Sequence, residues 1–264
     1  DLCCGLGSVV ISPKNHNFVE IHDTMTHRFA SYNGYSKLAD MVEADPRLLG
    51  ILERLDIRLG FGDASVGEVC ERYNLSTELF LMICNVYSND DYIPHIDNLT
   101  PSDLPHLVAY LQASHRYYTE VCFPRLHDNI HRLVRSLDLT NHRVIDRFYD
   151  DYQSEVDKHF AYEDEVVFPY IESLISGTRG EGFTIGDLAA YSIDNFEHNH
   201  SNIEETLRDI KNIVLKYLPE SCESVVRYEV LNDIIRIESD IERHTEIENR
   251  ILIPLVAKFE KSDE

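Results

Sequence analysis

The chain has 264 residues, 43% of them hydrophobic, enough for one large domain or two modest ones with a real core. A formal net charge of −23 makes the surface acidic, which argues against nucleic-acid and anionic-membrane partners. No apolar run of about 18 residues is present, so no membrane span is expected.

Six cysteines, Cys3, Cys4, Cys70, Cys84, Cys122 and Cys222, fall mostly inside apolar helical patterns, where a thiol packs as a small hydrophobe. The chain therefore reads as reduced and cytoplasmic rather than disulfide-framed. Residues 1–11 lack a basic leader, so no signal peptide is expected there.

In chain order, residues 1–34 show no period and read as an irregular arm. Residues 35–89 read as short helices forming a small domain. Ser36, Ser65 and Ser76 are candidate N-caps, Pro46 can open a helix at its first turn, and LGFGD (59–63) is a glycine-bearing turn. The proline-containing stretch 90–102 is the expected linker. Four long amphipathic patterns follow across 103–260: about 102–136, 141–175, 184–218 and 221–260. The loop SGTRGEG (176–182) divides the second from the third. With no convincing strand pattern, the expected fold is all-α, an up-down four-helix bundle after a small helical domain.

The inward stripes carry the chemistry. In the first long helix they run Leu104, Val108, Leu111, His115, Tyr118, Cys122. In the second they run Ile145, Phe148, Tyr152, His159, Glu163, Val166, Tyr170. The third gives Ile193, Phe196, His200, Ile203, Leu207, Ile210, Val214. The fourth gives Ile234, Ile237, Ile241, His244, Glu248, Ile251, Leu255. Four imidazoles and two carboxylates on buried stripes are costly unless something binds them, and a metal centre is the economical explanation.

His and Glu at i and i+4 share one helix face. The stretch HFAYEDEVVFP (159–169) returns as HTEIENRILIP (244–254), and both His-to-His intervals, 115 to 159 and 200 to 244, are 44 residues. The bundle thus reads as a duplicated hairpin. Two Glu can bridge two metals while His115, His159, His200 and His244 supply two imidazoles to each. Mixed carboxylate and imidazole donors suit iron or manganese better than a closed zinc site. Pro169 and Pro254 read as structural bends.

These motifs resemble the hemerythrin-like HHE cation-binding domain over about 103–258. The set of four His and two Glu looks like that of the Repair of Iron Centres family, di-iron proteins linked to mending iron–sulfur clusters damaged by nitric oxide or oxidants. The resemblance implies two non-haem iron ions with an oxo or hydroxo bridge, small ligands such as oxygen or nitric oxide, and damaged iron–sulfur proteins as partners. A homodimer is compatible with it.

The family's third-helix motif runs Glu-His-Asp, so EHNH (197–200) leaves His198 beside His200. The seam and the 44-residue interval favour His200. Residues 37–88 resemble the family's N-terminal domain, but Gly60 and Phe61 stand where its two cysteines would be, which removes thiol chemistry from that turn. Cys3 and Cys4 form a Cys-Cys-Gly far from that register.

Glu155 and Tyr118 are candidates to relay protons or hydrogen-bond beside the metals, against plain readings as a solvated flank and a core tyrosine. His127 and His131, at i and i+4, form a possible minor metal pair or two surface histidines. Two further functions stay open: a di-iron sensor signalling through the N-terminal domain, and a redox enzyme acting on nitric oxide or peroxide. The stretch 65–87 has a helix-turn-helix look, but 76–87 contains no Lys or Arg, against DNA binding.

Overall fold

The computed structural model describes residues 32–135, 139–176, 192–193, 196, 204–220 and 223–261. Most of the expected N-terminal arm with Cys3 and Cys4, most of the 176–182 loop, Cys222, His198 and His200 lie outside the described residues.

Among the described residues the regular structure is helical. Four short helices come first: α1 (Leu38–Ala44), α2 (Leu48–Arg54), α3 (Val66–Arg72) and α4 (Thr77–Ser88). Ser65 closes a capping box with Glu68, and Ser76 Oγ accepts from the Leu79 amide at 3.2 Å. Ser36 is not a cap. Lys37 holds that position for α1, and Ser36 Oγ instead accepts from the Asn33 amide in the preceding turn. Pro46 likewise sits in the turn before α2 rather than in its first turn, with Arg47 at the N-cap. Gly60 and Gly62 both adopt positive φ, 99° and 62°, so the 59–63 turn needs its glycines.

A 3₁₀ turn (Pro101–Asp103) leads into the bundle. Its first helix is α5 (Leu104–Tyr117), continued by α6 (Phe123–Val134). The second is α7 (Leu139–Tyr162), continued by α8 (Phe168–Ile175). The described part of the third is α9 (Glu204–Asn212). The fourth is α10 (Ser224–Ile247), continued by α11 (Ile253–Glu260). Helix α6 touches α7 and α10, and α9 also touches both, so the four rods close a ring around one axis.

Among the described residues three rods are interrupted by a widened π turn, Tyr118–Cys122, Glu163–Val167 and Glu248–Leu252, and the third rod ends in one, Ile213–Tyr217. In three of them the residue before a proline donates to the carbonyl five residues back: Phe123 to Tyr118, Phe168 to Glu163, Ile253 to Glu248. Pro124, Pro169 and Pro254 follow. The wider turn accommodates the missing proline N–H without ending the rod. The proline bends expected at 169 and 254 therefore take the form of π turns.

One extra residue per π turn rotates everything beyond it by about 100°. Two positions of the second stripe are corrected, of which only Val166 falls at a π turn. Val166 is only half-buried while Val167 is buried, because the π turn resets the phase. Phe148 is exposed while Tyr149 is buried, so the inward face lies one residue on from the 145–148 step. The described stripe residues of the other three rods are buried as expected, Leu104 to Cys122, Leu207 to Val214 and Ile234 to Leu255.

The apolar core forms two clusters. One joins α1–α4 to the start of α5 and to α8 and α11. The other fills the far end, between α6, α7, α9 and α10. Along α5 the first ends at Leu111 and the second begins at Tyr118. Along the second rod the break falls between Phe160 and Val167, and along the fourth between Ile241 and Ile247. Cys70, Cys84 and Cys122 are free and buried, and burial pushes the Cys70 thiol up to about 11, so these thiols are poor nucleophiles.

Candidate metal centre

The break between the two apolar clusters is filled by polar side chains. His115, Glu163, His244 and Glu248 are 2%, 0%, 1% and 0% exposed, and each offers a ligand atom within 4.8 Å of the others. Among the described residues, three rods contribute. Both glutamates stand at the first residue of a π turn, one helical turn after a histidine.

Glu163 is the hub. Its Oε2 lies 3.0 Å from His115 Nε2 and its Oε1 lies 3.0 Å from His159 Nε2, so one carboxylate spans two imidazoles on two rods. In the fourth rod His244 Nε2 lies 3.1 Å from Glu248 Oε1. His115 Nε2 and His244 Nε2 approach to 3.2 Å. His159 thus joins the cluster through Glu163, with its side chain 7% exposed. His244 Nδ1 is buried with no hydrogen-bond partner.

The walls are aromatic. The Phe160 ring stacks on His115 at 4.2 Å between centroids, and Tyr118 presents an edge contact to His244 at 5.7 Å. Tyr118 is fully buried with its ring against His244, a position that also fits a core tyrosine. Glu155 is exposed on α7 and is not part of this buried group, because it falls on the solvated flank of the rod.

Sequence reasoning missed Asp164. Its Oδ1 lies 3.1 Å from His115 Nδ1, where it accepts the ring N–H and leaves Nε2 facing Glu163 and His244, with a proton there that a cation would replace. A carboxylate directly after Glu163 was the available signal. Asp164→Asn should weaken metal binding by about 10–100-fold with little loss of helix, measured by competition with a chelator.

Burial opposes charge on His115, but hydrogen bonds to Asp164 and Glu163 and the charges of Glu163 and Glu248 outweigh it, raising its pKa to about 9. The metal-free site therefore carries a proton on His115 below that pH, and a cation must displace it. The raised folded pKa means His115 stabilises the metal-free chain fully below its unfolded value near 6.5 and loses that contribution as pH rises through 9. Metal affinity runs the other way. It should climb about tenfold per pH unit up to pH near 9 and then level, as read by titration at fixed ionic strength.

A family model, the hemerythrin HHE cation-binding domain, matches residues 106–256, more than half the chain. The chain belongs to the hemerythrin HHE cation-binding family. No curated protein and no solved structure gives a match. The family's matched span contains all four clustered residues, together with His159 and the position of His200. The donor set fits a cation: two imidazoles and two carboxylates converge out of contact with water, and fixed negative charge there calls for positive charge. The described residues contain no helix long and apolar enough to cross a membrane.

Proposed function

We propose that this HHE-family chain is a non-haem di-iron protein of the iron–sulfur cluster repair type, serving nitrosative and oxidative stress in the cytoplasm. His115, His159, Glu163, His200, His244 and Glu248 hold the two irons. The observation that carries the reading is Glu163, whose two oxygens each face an imidazole from a different rod, the disposition of a carboxylate that bridges two cations. Donor chemistry favours iron, with manganese as the competing cation, over structural zinc, since the buried cluster contains no thiolate.

Bound iron would supply reversible binding of small diatomic ligands and one-electron chemistry. The chain's own groups orient the site: Asp164 fixes the His115 tautomer, and Phe160 and Tyr118 wall off water. In this reading oxygen or nitric oxide are the small ligands, and damaged iron–sulfur proteins the macromolecular partners, with the chain acting as monomer or homodimer.

Metal content and the visible spectrum of the purified protein test the centre. About two irons per chain with an oxo-bridge band support it. Substoichiometric zinc overturns it. Recovery of activity by a nitric-oxide-damaged cluster enzyme, on mixing with the iron-loaded chain, tests the repair role. His198→Ala should keep most of the iron and His200→Ala should lose it. Equal loss in both would overturn the choice of His200.

One observation favours a sensor as the second reading. Arg54 of α2 reaches into the bundle, donating to Asp240 of α10 and lying 5.3 Å over the ring of Tyr118, which abuts His244. A change at the metals would be felt by the N-terminal helices along this contact. Ligand-dependent binding of a protein partner, without cluster recovery, would favour it.

A further inference from the structure

At the far end of the bundle from the N-terminal helices, α6 carries His127 and His131, one turn apart on one face. Their Nε2 atoms lie 2.8 Å from each other, with the rings nearly perpendicular at 84° and centroids 4.1 Å apart. Behind each ring stands a carboxylate. Asp128 Oδ1 is 4.0 Å from His127 Nδ1, and Asp146 Oδ1, across on α7, is 4.0 Å from His131 Nδ1. The His127 ring rests 5.5 Å from that of Tyr149, which is buried and anchored by its hydroxyl donating to the Phe123 carbonyl at 2.9 Å.

Two Nε2 atoms pointed at one another cannot both present lone pairs with nothing between them. Either one proton is shared as an N–H···N hydrogen bond, or a cation takes both lone pairs. Asp128 and Asp146 favour the second arrangement: at 4.0 Å they do not hydrogen-bond the rings, but their charge draws a cation to the pair. The two side chains are 45% and 43% exposed, so an aqueous ion reaches them directly and water completes its shell.

We infer that His127 and His131 form a second, surface cation site, independent of the buried centre, for a borderline divalent ion of the copper or zinc kind. Paired imidazoles select against magnesium and calcium, which prefer oxygen, and the order of stabilities places Cu²⁺ first. Asp128 and Asp146 add negative charge beside it. The inference stands whether or not the buried site holds iron.

The test is equilibrium dialysis of the full chain, carrying its own metal complement, against Cu²⁺, with all metals counted and the copper examined by electron paramagnetic resonance. The expected result is one additional Cu²⁺ per chain with two nitrogen donors, lost in both His127→Ala and His131→Ala while the resident metal count stays constant. Asp146→Asn should bind it more weakly, by less than about tenfold, since only a nearby charge is lost. Absence of additional copper, its survival in both alanine variants, or uptake only by displacement of the resident metal would each overturn the site. If either alanine variant loses helix content, His131→Gln, with a side chain of similar length, carries the same comparison.

Discussion

Glu163→Ala and Glu248→Ala should each strip the protein of metal, weakening binding by more than the roughly 100-fold that loss of a supporting outer group causes. Glu163 is the sharper case, since removing it takes an oxygen from both His115 and His159. The same buried carboxylates are a burden when no cation is present. Both are fully buried, and their ligand atoms lie within 4.8 Å of one another. Like charges that close, out of water, repel.

Glu248→Gln keeps the shape and hydrogen-bonding capacity but removes one of the two charges. It should therefore raise the stability of the metal-free chain by about 1–2 kcal/mol, some 2–8 °C in Tm, while abolishing the larger stabilisation that metal gives the parent. Thermal melts with and without chelator, beside metal counts, check both halves. Full metal retention in the Glu163 and Glu248 variants would refute the centre as drawn here.

Arg54→Ala should be the most destabilising single change outside the centre, costing about 3–5 kcal/mol in chemical denaturation. Arg54 is almost wholly buried. Its guanidinium donates to Asp240, to the Tyr87 hydroxyl at 2.8 Å and to the Tyr110 hydroxyl at 3.4 Å, and it lies 4.7 Å over the Tyr117 ring. One side chain thus ties α2 to α4, α5 and α10. Burial by itself would lower the affinity of this group for its proton. The surrounding tyrosine oxygens and Asp240 more than reverse that, so the charge is retained.

Truncation leaves three polar partners facing an empty pocket. The paired change Arg54→Met with Asp240→Leu removes both charges and refills the space, and should recover most of the loss. A double-mutant cycle between Arg54 and Asp240 measures the coupling directly. If Arg54→Ala alone costs less than about 1 kcal/mol, the contact does not hold the N-terminal helices to the bundle.

The fold class was legible because amphipathic periodicity over rods this long has few interpretations. Stripes such as Ile234, Ile237, Ile241 and Leu255 can be buried together only by packing helix on helix. The cluster was legible for a related reason. His115, His244 and Glu248 interrupt those stripes in phase, and a polar residue on a buried stripe demands an explanation. His200, on which the choice against His198 rested, lies outside the described residues.

What the sequence determined by itself, then, was the helical periodicity, the duplicated His-then-Glu pattern and the side chains that had to share a buried level. Only the tertiary structure decided the phase beyond each π turn and the reach of Asp164 to His115 and of Arg54 to Asp240. The reason is physical. A stripe is a local property, repeated every turn and readable from spacing. A π turn changes that spacing by one residue without changing composition, and a contact between rods depends on how they rotate against each other, which packing settles after the helices exist.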